Sequence, residues 1–212
     1  LRKLEVEPAV WHLNEGHSAF MLAERARELM VDGAASDEAF ATVRENSVFT
    51  IHTPVPAGNE RFSADLVREL TSVEAGDTDI GPMLEMGLGV DGDASQFDMT
   101  AFALRSTINA NGVSQLHGRV ANDTWSPILD HPIMGITNGV HPPTWVGHPM
   151  RRVLEGLGGD LDHQETEREE GRFWERMNLV ADDDLWQAHL QQKARLREYA
   201  TIRLRRQFAR HG

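Results

Sequence analysis

An apolar run leads into a histidine and a proline-rich bend at Val48-Phe49-Thr50-Ile51-His52-Thr53-Pro54-Val55-Pro56-Ala57-Gly58. The β-branched and aromatic residues of this run favour a strand, and the prolines and glycine after it favour a turn. In open α/β sheets, ligands bind at the carboxyl ends of the strands, where such loops begin. The stretch therefore predicts a strand that delivers His52 and Thr53 to a binding crevice.

A second stretch repeats this layout later in the chain. Its apolar part is Ile133-Met134-Gly135-Ile136, and its polar part is Thr137-Asn138-Gly139-Val140-His141-Pro142-Pro143. The polar side chains at both junctions are mostly neutral hydrogen-bond donors and acceptors. Two junctions of this kind predict a ligand that is rich in hydroxyl groups.

The composition limits the class of protein. The chain has 212 residues, of which 40% are hydrophobic, and this is enough for a folded core. It has no cysteine, which excludes disulfides, a thiolate nucleophile and a Cys-based zinc site. No apolar stretch approaches about 18 residues and no signal peptide begins the chain, so we expect a cytoplasmic protein without a membrane partner. The net charge of −12 disfavours nucleic acid as a partner, and Leu1 as the first residue predicts a piece of a longer protein.

Helical and strand-like segments alternate up to Trp145. Asn14 is a candidate cap for a helix that extends to Val31, and Ser36 is a candidate cap for a second helix that extends to Arg44. The remaining predicted segments are a strand from Ser47 to His52, a helix from Ser63 to Leu70, a loop over 72–96, a helix from Gln96 to Ala110 with Ala101, Leu104 and Ile108 inward, a helix over Leu116 to Val120 and a strand from Ile133 to Thr137. This order predicts part of an α/β domain with a parallel sheet.

The composition changes after Trp145, where the chain becomes helical and strongly charged. Its densest charged run is Glu165-Thr166-Glu167-Arg168-Glu169-Glu170. Asp182-Asp183-Asp184 begins a long predicted helix whose end carries Arg203, Arg205, Arg206 and Arg210. Acid at the start and base at the end of a helix complement its dipole. We therefore favour a solvated helix face over a nucleic-acid surface.

Two patterns are discounted. Gly87-Leu88-Gly89-Val90-Asp91-Gly92 matches the dinucleotide pattern G-x-G-x-x-G, but no clear strand precedes it and its aspartates would repel a phosphate. The ten histidines include no pair at the i, i+4 spacing of a helical metal site, so we expect no metal. Nothing in the chain resembles a serine nucleophile elbow.

The candidate site residues also have ordinary structural explanations. Asn14 has a sound role as a cap, but Glu15 and His17 in the first helical turn would point out of the helix N-terminus, where polar ligands bind. His52, at the end of a strand, has little reason to be there for packing alone. Asn138 is either a turn residue or an amide that bonds a sugar hydroxyl.

Four motifs together resemble the α-glucan phosphorylases, the family of glycogen, starch and maltodextrin phosphorylases, and most of all its shorter bacterial branch. They occur in the family's order and are Leu13-Asn14-Glu15-Gly16-His17, Thr50-Ile51-His52-Thr53-Pro54-Val55-Pro56-Ala57-Gly58, Asn111-Gly112-Val113-Ser114-Gln115-Leu116-His117 and Thr137-Asn138-Gly139-Val140. They span most of the chain up to Trp145, and the charged helices beyond it are also similar.

The resemblance implies a glycosyltransferase-B architecture. Residues 1–137 would be the latter part of the N-terminal Rossmann-like domain, and residues 138–212 the crossover and the first helices of the C-terminal domain. The implied reaction is phosphorolysis of the terminal α-1,4-linked glucose of a glucan to glucose 1-phosphate. Glucan and phosphate are then the partners, pyridoxal phosphate is the cofactor, and homo-oligomerisation stays open.

The resemblance also implies roles for particular residues. By it, His52 contacts the glucosyl unit at O6 and through its backbone, and Asn138 reaches the 6-hydroxyl. Glu15, His17 and Thr53 would lie beside the glucose site. No residue of this chain is assigned a catalytic role, because the family uses the cofactor's phosphate for proton transfer.

The chain departs from the longer family members at Gly16, Ile51 and Ala57, so these positions are credited with no sugar contact. Its only lysines, Lys3 and Lys193, stand in no cofactor motif. We therefore expect the isolated chain to be inactive and to lack the cofactor's attachment lysine. The alternatives are a nucleotide-sugar glycosyltransferase of the same fold, such as a glycogen synthase, and a non-catalytic carbohydrate-binding module.

Overall fold

The computed structural model describes residues 2–55, 58–75, 79–158, 171 and 175–211. Pro56 and Ala57 of the first predicted bend and the charged run from Glu165 to Glu170 lie outside the described residues. The chain divides into two compact units, Leu1–Asn138 and Gly139–Gly212.

A four-stranded parallel sheet forms the centre of the first unit. The strands among the described residues of the unit are β1 (Trp11–Asn14), β2 (Ser47–Ile51), β3 (Arg61–Ser63), β4 (Gln96–Asp98), β5 (Asn109–Gly112) and β6 (Met134–Gly135). The parallel sheet has the order β1-β2-β5-β6, and β3 pairs with β4 in a separate antiparallel ribbon. The α/β class with a parallel sheet, predicted from the sequence, is thus confirmed.

Helices cover one face of this sheet. The helices of the first unit are α1 (Phe20–Val31), α2 (Ser36–Glu45), α3 (Ala64–Ala75), α4 (Gly81–Met86), α5 (Met99–Arg105) and α6 (Gln115–Trp125). Leu13, Phe49 and Ala110 are in register on neighbouring strands and are buried in one core. The helical side of that core is formed by residues such as Leu22 of α1, Val43 of α2 and Phe102 of α5. Alternation along β2 therefore directs Ser47, Phe49 and Ile51 to the helices, and all three are buried.

The opposite face of the sheet is polar. His12 Nε2 lies 2.7 Å from Thr50 Oγ1, and Thr50 Oγ1 donates to Asn111 Oδ1 at 2.8 Å. Asn14 and Thr50 are in register, as are Thr50 and Asn111, so these side chains share this face. His12 and Asn14 are exposed, and Asn111 is half-buried.

Close backbone contact joins α6 to the far strand of the sheet. A Cβ atom on Gly118 would lie 2.8 Å from the Cα of Gly135. No side chain fits into that distance, so glycine at position 118 lets α6 approach β6. Asn122 then ties the helix to the strand, because its amide bonds both the carbonyl and the N–H of Ile133.

The prediction that Asn14 caps the first long helix is wrong. Asn14 is the last residue of β1, and the helix begins at Phe20 after a 3₁₀ turn over Gly16–Ser18. The sequence Trp11-His12-Leu13-Asn14 has the alternation of a strand, but it is only four residues long and directly precedes a strong helical pattern.

The predicted helix from Gln96 to Ala110 is also wrong in extent. The segment holds β4, the short helix α5 and the start of β5 in succession. Ala101 and Leu104 are buried as predicted, but Ile108 is 40% exposed. Helix α5 begins directly after Asp98. The Asp98 carboxylate accepts hydrogen bonds from Thr100 N and Ala101 N and so caps the N-terminus of the helix. The predicted loop over 72–96 contains α4 and the end of α3.

The second unit contains α7 (Pro142–Trp145), α8 (His148–Glu155) and the long α9 (Asp182–His211). Arg152 Nη2 donates to Gln191 Oε1 at 3.1 Å, which joins α8 to α9. The helix predicted from Asp182 is confirmed, with three aspartates in its first turn. None of the helices in the described part of the chain is both long and apolar enough to cross a bilayer.

Candidate functional site

The carboxyl ends of the four parallel strands meet at one edge of the sheet, and every predicted site residue follows one of them. Glu15 and His17 follow β1, His52 and Thr53 follow β2, and Asn138 follows β6. β1 and β2 are neighbours, whereas β5 separates β2 from β6. With about 4.8 Å between adjacent strands, β6 lies roughly 10 Å from β2.

Glu15 links the first two junctions. Its φ of 75° is a left-handed conformation that a glutamate seldom adopts. The turn is held by Glu15 N, which donates to Thr50 O at 2.9 Å. It directs the carboxylate toward the loop after β2, where Oε2 accepts from His52 N at 2.9 Å and from Thr53 Oγ1 at 2.8 Å. The other oxygen, Oε1, accepts from Gly16 N at 2.9 Å.

The ring of His52 is held from the same strand end. Its Nε2 lies 2.5 Å from Oδ1 of Asn14, the residue that precedes Glu15. Because Asn14 and Thr50 are in register and His52 is two residues after Thr50, both side chains lie on the polar face. His52 is exposed and Thr53 is half-buried. The junctions after β1 and β2 therefore form one hydrogen-bonded unit.

A small cleft of about 130 Å³ lies beside this unit. Its lining residues are Glu15, Gly16, His17, Thr53, Gly58, Asn59, Glu60 and Thr100. Three of the five predicted site residues thus share one cleft. Ligand pockets that enclose a small molecule have volumes of about 300–1,000 Å³, so the cleft is too small to enclose such a molecule by itself.

Asn59 and Thr100 are cleft residues that the sequence did not reveal. Asn59 Oδ1 accepts from Thr100 Oγ1 at 3.3 Å, and Thr100 is buried. Asn59 follows the bend after His52 and could have been suspected from its position. Thr100 carries no such signal, because it arrives from the start of α5. A Cβ atom on Gly16 would lie only 3.1 Å from Thr100 Oγ1, so glycine keeps this side of the cleft open.

Asn138 lies at the same sheet edge but not on the small cleft. Its backbone N–H donates to Val113 O at 3.1 Å, which continues the pairing of β5 and β6 beyond their ends. The side chain is exposed. The structure therefore brings Glu15, His17, His52 and Thr53 together and leaves Asn138 apart from them.

The glycine pattern at 87–92 has a structural role. Helix α4, not a strand, precedes it, and Gly87 is the C-cap of that helix. Asp91 Oδ2 accepts from Arg61 at 2.5 Å, and this hydrogen bond lowers the pKa of the Asp91 carboxyl. The pattern thus lacks the preceding strand that a dinucleotide site needs, as the sequence predicted.

A larger cavity of about 430 Å³ lies away from the strand ends, between α2, α4 and α5. Arg105 lines it and donates to the carbonyls of Met86 and Leu88. Burial lowers the pKa of this guanidinium, with the charge of Asp98 acting in the opposite direction. Since Arg105 is bound to the backbone, its place here is explained by the fold.

No family model matches the chain, but several curated relatives do. It is 37% identical over 203 residues to the maltodextrin phosphorylase of Thermococcus litoralis, which covers 91% of this chain and 23% of the relative. It is 38% identical over 218 residues to the glycogen phosphorylase of Mycobacterium tuberculosis, and the alignment covers 97% of this chain and 25% of the relative. It is 30% identical to the glycogen phosphorylase of Aquifex aeolicus, and that alignment covers 97% of this chain and 30% of the relative. The chain spans about a quarter of the length of these relatives.

Proposed function

The chain is homologous to a part of the glycogen and maltodextrin phosphorylases, and on this premise we propose that the complete protein phosphorolyses α-1,4-glucans. It releases the terminal glucose of glycogen or maltodextrin as glucose 1-phosphate. The observation that carries the proposal is the alignment with phosphorylases along nearly the whole chain. The clustering of Glu15, His17 and Thr53 around one cleft supports it.

The proposed roles follow from hydrogen-bonding chemistry. The imidazole of His52 and the amide of Asn138 bind hydroxyl groups of the terminal glucosyl unit from two positions along the sheet edge. Glu15, His17 and Thr53 line the cleft beside that unit. Neutral donors and acceptors suit a neutral sugar, because they fix its orientation without a desolvated charge.

The proposal extends to the architecture of the complete protein. Residues 1–137 form the latter part of an N-terminal domain, and residues 138–212 the crossover and first helices of a second domain in a glycosyltransferase-B arrangement. The protein acts in the cytoplasm on glucan and phosphate, without nucleic acid or membrane partners. Homo-oligomerisation remains compatible with this proposal.

Pyridoxal phosphate is the proposed cofactor, but this chain does not fit its covalent attachment. Lys3 and Lys193 are both exposed, and neither lines the cleft beside Glu15. The attachment lysine is therefore expected elsewhere in the complete protein. It follows that residues 1–212 alone do not catalyse, because reacting groups must be held together in one closed site.

The test uses the complete gene product with maltodextrin and inorganic phosphate. We expect release of glucose 1-phosphate that depends on phosphate, together with the absorbance of bound pyridoxal phosphate. Residues 1–212 alone serve as the matched control and should release none. Absence of phosphorolysis by the complete protein would reject the proposal.

The same assay separates the alternatives. Glucosyl transfer from a nucleotide sugar without phosphorolysis would identify a synthase-type glycosyltransferase. Glucan binding without either reaction would identify a carbohydrate-binding module.

A further inference from the structure

The carboxylate of Glu15 has little capacity left for a ligand. A carboxylate offers about four acceptor positions, and three hydrogen bonds from Gly16 N, His52 N and Thr53 Oγ1 occupy it. All three donors belong to the chain itself. Glu15 is thus bound to the loop that carries His52, although it also lines the cleft.

Asn14 determines which nitrogen of the His52 ring carries a proton. The amide oxygen Oδ1 can only accept, so Nε2 at 2.5 Å must donate. In a neutral imidazole the other nitrogen is then an acceptor. The ring is exposed, and Nδ1 has no hydrogen-bond partner among the residues that the structure describes.

From these contacts we propose that Asn14 and Glu15 are positioning residues for His52. Glu15 holds the backbone N–H of His52, and Asn14 holds the ring in the tautomer that presents Nδ1 as an acceptor. In that tautomer Nδ1 can accept the hydrogen bond from a glucosyl hydroxyl that the proposed function already assigns to His52. This inference rests on the proposed function and assigns Glu15 to the protein's own loop rather than to a sugar contact.

The strain at Glu15 is consistent with this assignment. A non-glycine residue held at a positive φ is strained, and such residues concentrate at functional sites. At φ 75° the backbone of Glu15 brings its carboxylate against His52 and Thr53, while Glu15 N bonds Thr50 O.

The first test compares Asn14→Leu with Asn14→Asp in the complete protein, measured as glucose 1-phosphate release across pH. Leucine has no acceptor, so kcat/KM should fall about tenfold or more at every pH, as expected when a substrate-positioning side chain is misplaced. Aspartate still accepts from Nε2, but its charge favours the protonated ring. Its activity should therefore approach that of the wild type at high pH, and the acidic limb of its profile should move to higher pH.

The groups around His52 allow this pH effect to be assigned. The carboxylate of Glu15 bonds the backbone of His52 and not its ring, and His17 and Glu60 line the adjoining cleft. Asn109→Asp is the matched control, because Asn109 is an exposed asparagine on the same sheet face at the opposite end of β5. Asn109→Asp should leave both the rate and the profile unchanged.

Either of two results would overturn the role of Asn14. Wild-type kcat/KM in Asn14→Leu would show that the contact is dispensable. A profile of Asn14→Asp that coincides with Asn14→Leu at every pH would show that the ring does not need an acceptor from residue 14.

A second measurement does not depend on activity. Nitrogen NMR of ¹⁵N-histidine-labelled protein, with His52→Gln to assign the signals, reports the protonation of each ring nitrogen. We expect Nε2 protonated and Nδ1 unprotonated in the wild type, and a tautomer mixture in Asn14→Leu. The same mixture in both proteins would reject the proposal. If the wild type releases no glucose 1-phosphate but shows the single tautomer, only the proposed function fails.

Glu15→Ala tests the other contact. Loss of its carboxylate frees His52 N and Thr53 Oγ1, so kcat should fall with less change in KM, and the backbone amide signal of His52 should shift. Glu15→Gln retains one acceptor oxygen and should recover part of the rate. A change in KM alone, with an unmoved His52 amide, would indicate a direct substrate contact and contradict the positioning role.

Discussion

The junctions after β2 and β6 have similar sequences but different support. The loop after β2 is hydrogen-bonded to the end of the neighbouring strand β1. Glu15 accepts from the His52 backbone N–H and the Thr53 hydroxyl, and Asn14 contacts the His52 ring. The segment after β6 is bonded to Val113 through backbone N–H of Asn138, and the Asn138 side chain is exposed. The first junction is therefore ordered by side chains within this chain, whereas the second relies on strand pairing and on α6 packing.

The largest expected effect comes from His52→Ala. This change removes the side chain that Asn14 contacts in the first junction, the loop after β2. In the complete protein, glucose 1-phosphate release should fall about 100-fold, in the range found when one positioned hydrogen-bonding group is deleted from an active site. Steady-state kinetics with maltodextrin measure this loss. Exposed His148 on α8, changed to alanine, is the control and should retain full activity. Full activity of His52→Ala would remove the first junction from the site.

Gly118→Ala should weaken the second junction through its packing. The added methyl group would lie 2.8 Å from Gly135 Cα, which is backbone and cannot rotate away. Overpacking of this kind costs about 1–3 kcal/mol, and we expect a loss of about 2 kcal/mol in the free energy of unfolding. Chemical denaturation of the 212-residue chain measures it. Gly139→Ala has open space around its Cβ position and provides the control. Equal stability of both variants would contradict the close approach of α6 to β6.

Asn138→Ala should affect activity but not folding. Its backbone hydrogen bond is independent of the side chain, and the side chain is exposed, so the unfolding free energy should stay within about 0.5 kcal/mol of wild type. Loss of one neutral hydrogen bond to a sugar corresponds to about 1 kcal/mol, or roughly a fivefold loss in kcat/KM. A drop in stability with unchanged kinetics would reverse the contrast between the two junctions.

The sequence predicted the fold where local patterns were strong. The apolar run before His52 became β2. The helix predicted to extend to Val31 ends at that residue in α1, and the helix predicted from Ser36 to Arg44 became α2. It failed at β1 and at the segment from Gln96 to Ala110, because short strands beside helices have no period long enough to identify them. In both places burial on the sheet, rather than local preference, determines the conformation.

The strand-end positions of the candidate residues were predictable from the sequence, but the hydrogen bonds between them were not. His52, Thr53 and Asn138 follow apolar runs and were recognisable as strand-end residues. The pairing of β1 with β2 cannot be read from either segment, so the bonds from Asn14 and Glu15 to the His52 loop could not be predicted. Thr100 was likewise beyond prediction, since α5 brings it to the cleft from 47 positions beyond Thr53 in the sequence.

The smallest expected effect is that of Thr53→Val, which tests how much one side-chain bond contributes to the first junction. Valine keeps the shape of threonine but cannot donate to Glu15 Oε2, now bonded at 2.8 Å. Thr53 is half-buried, so solvent can partly replace the lost bond. A loss of about 0.5 kcal/mol in the free energy of unfolding is expected, measured by chemical denaturation of the 212-residue chain. Thr53→Ser retains the hydroxyl and should lose less. If the Thr53→Val and Thr53→Ser variants are equally stable, the hydroxyl contributes nothing measurable to the stability. The first junction is then held by Asn14 and by the contact between Glu15 and His52 N.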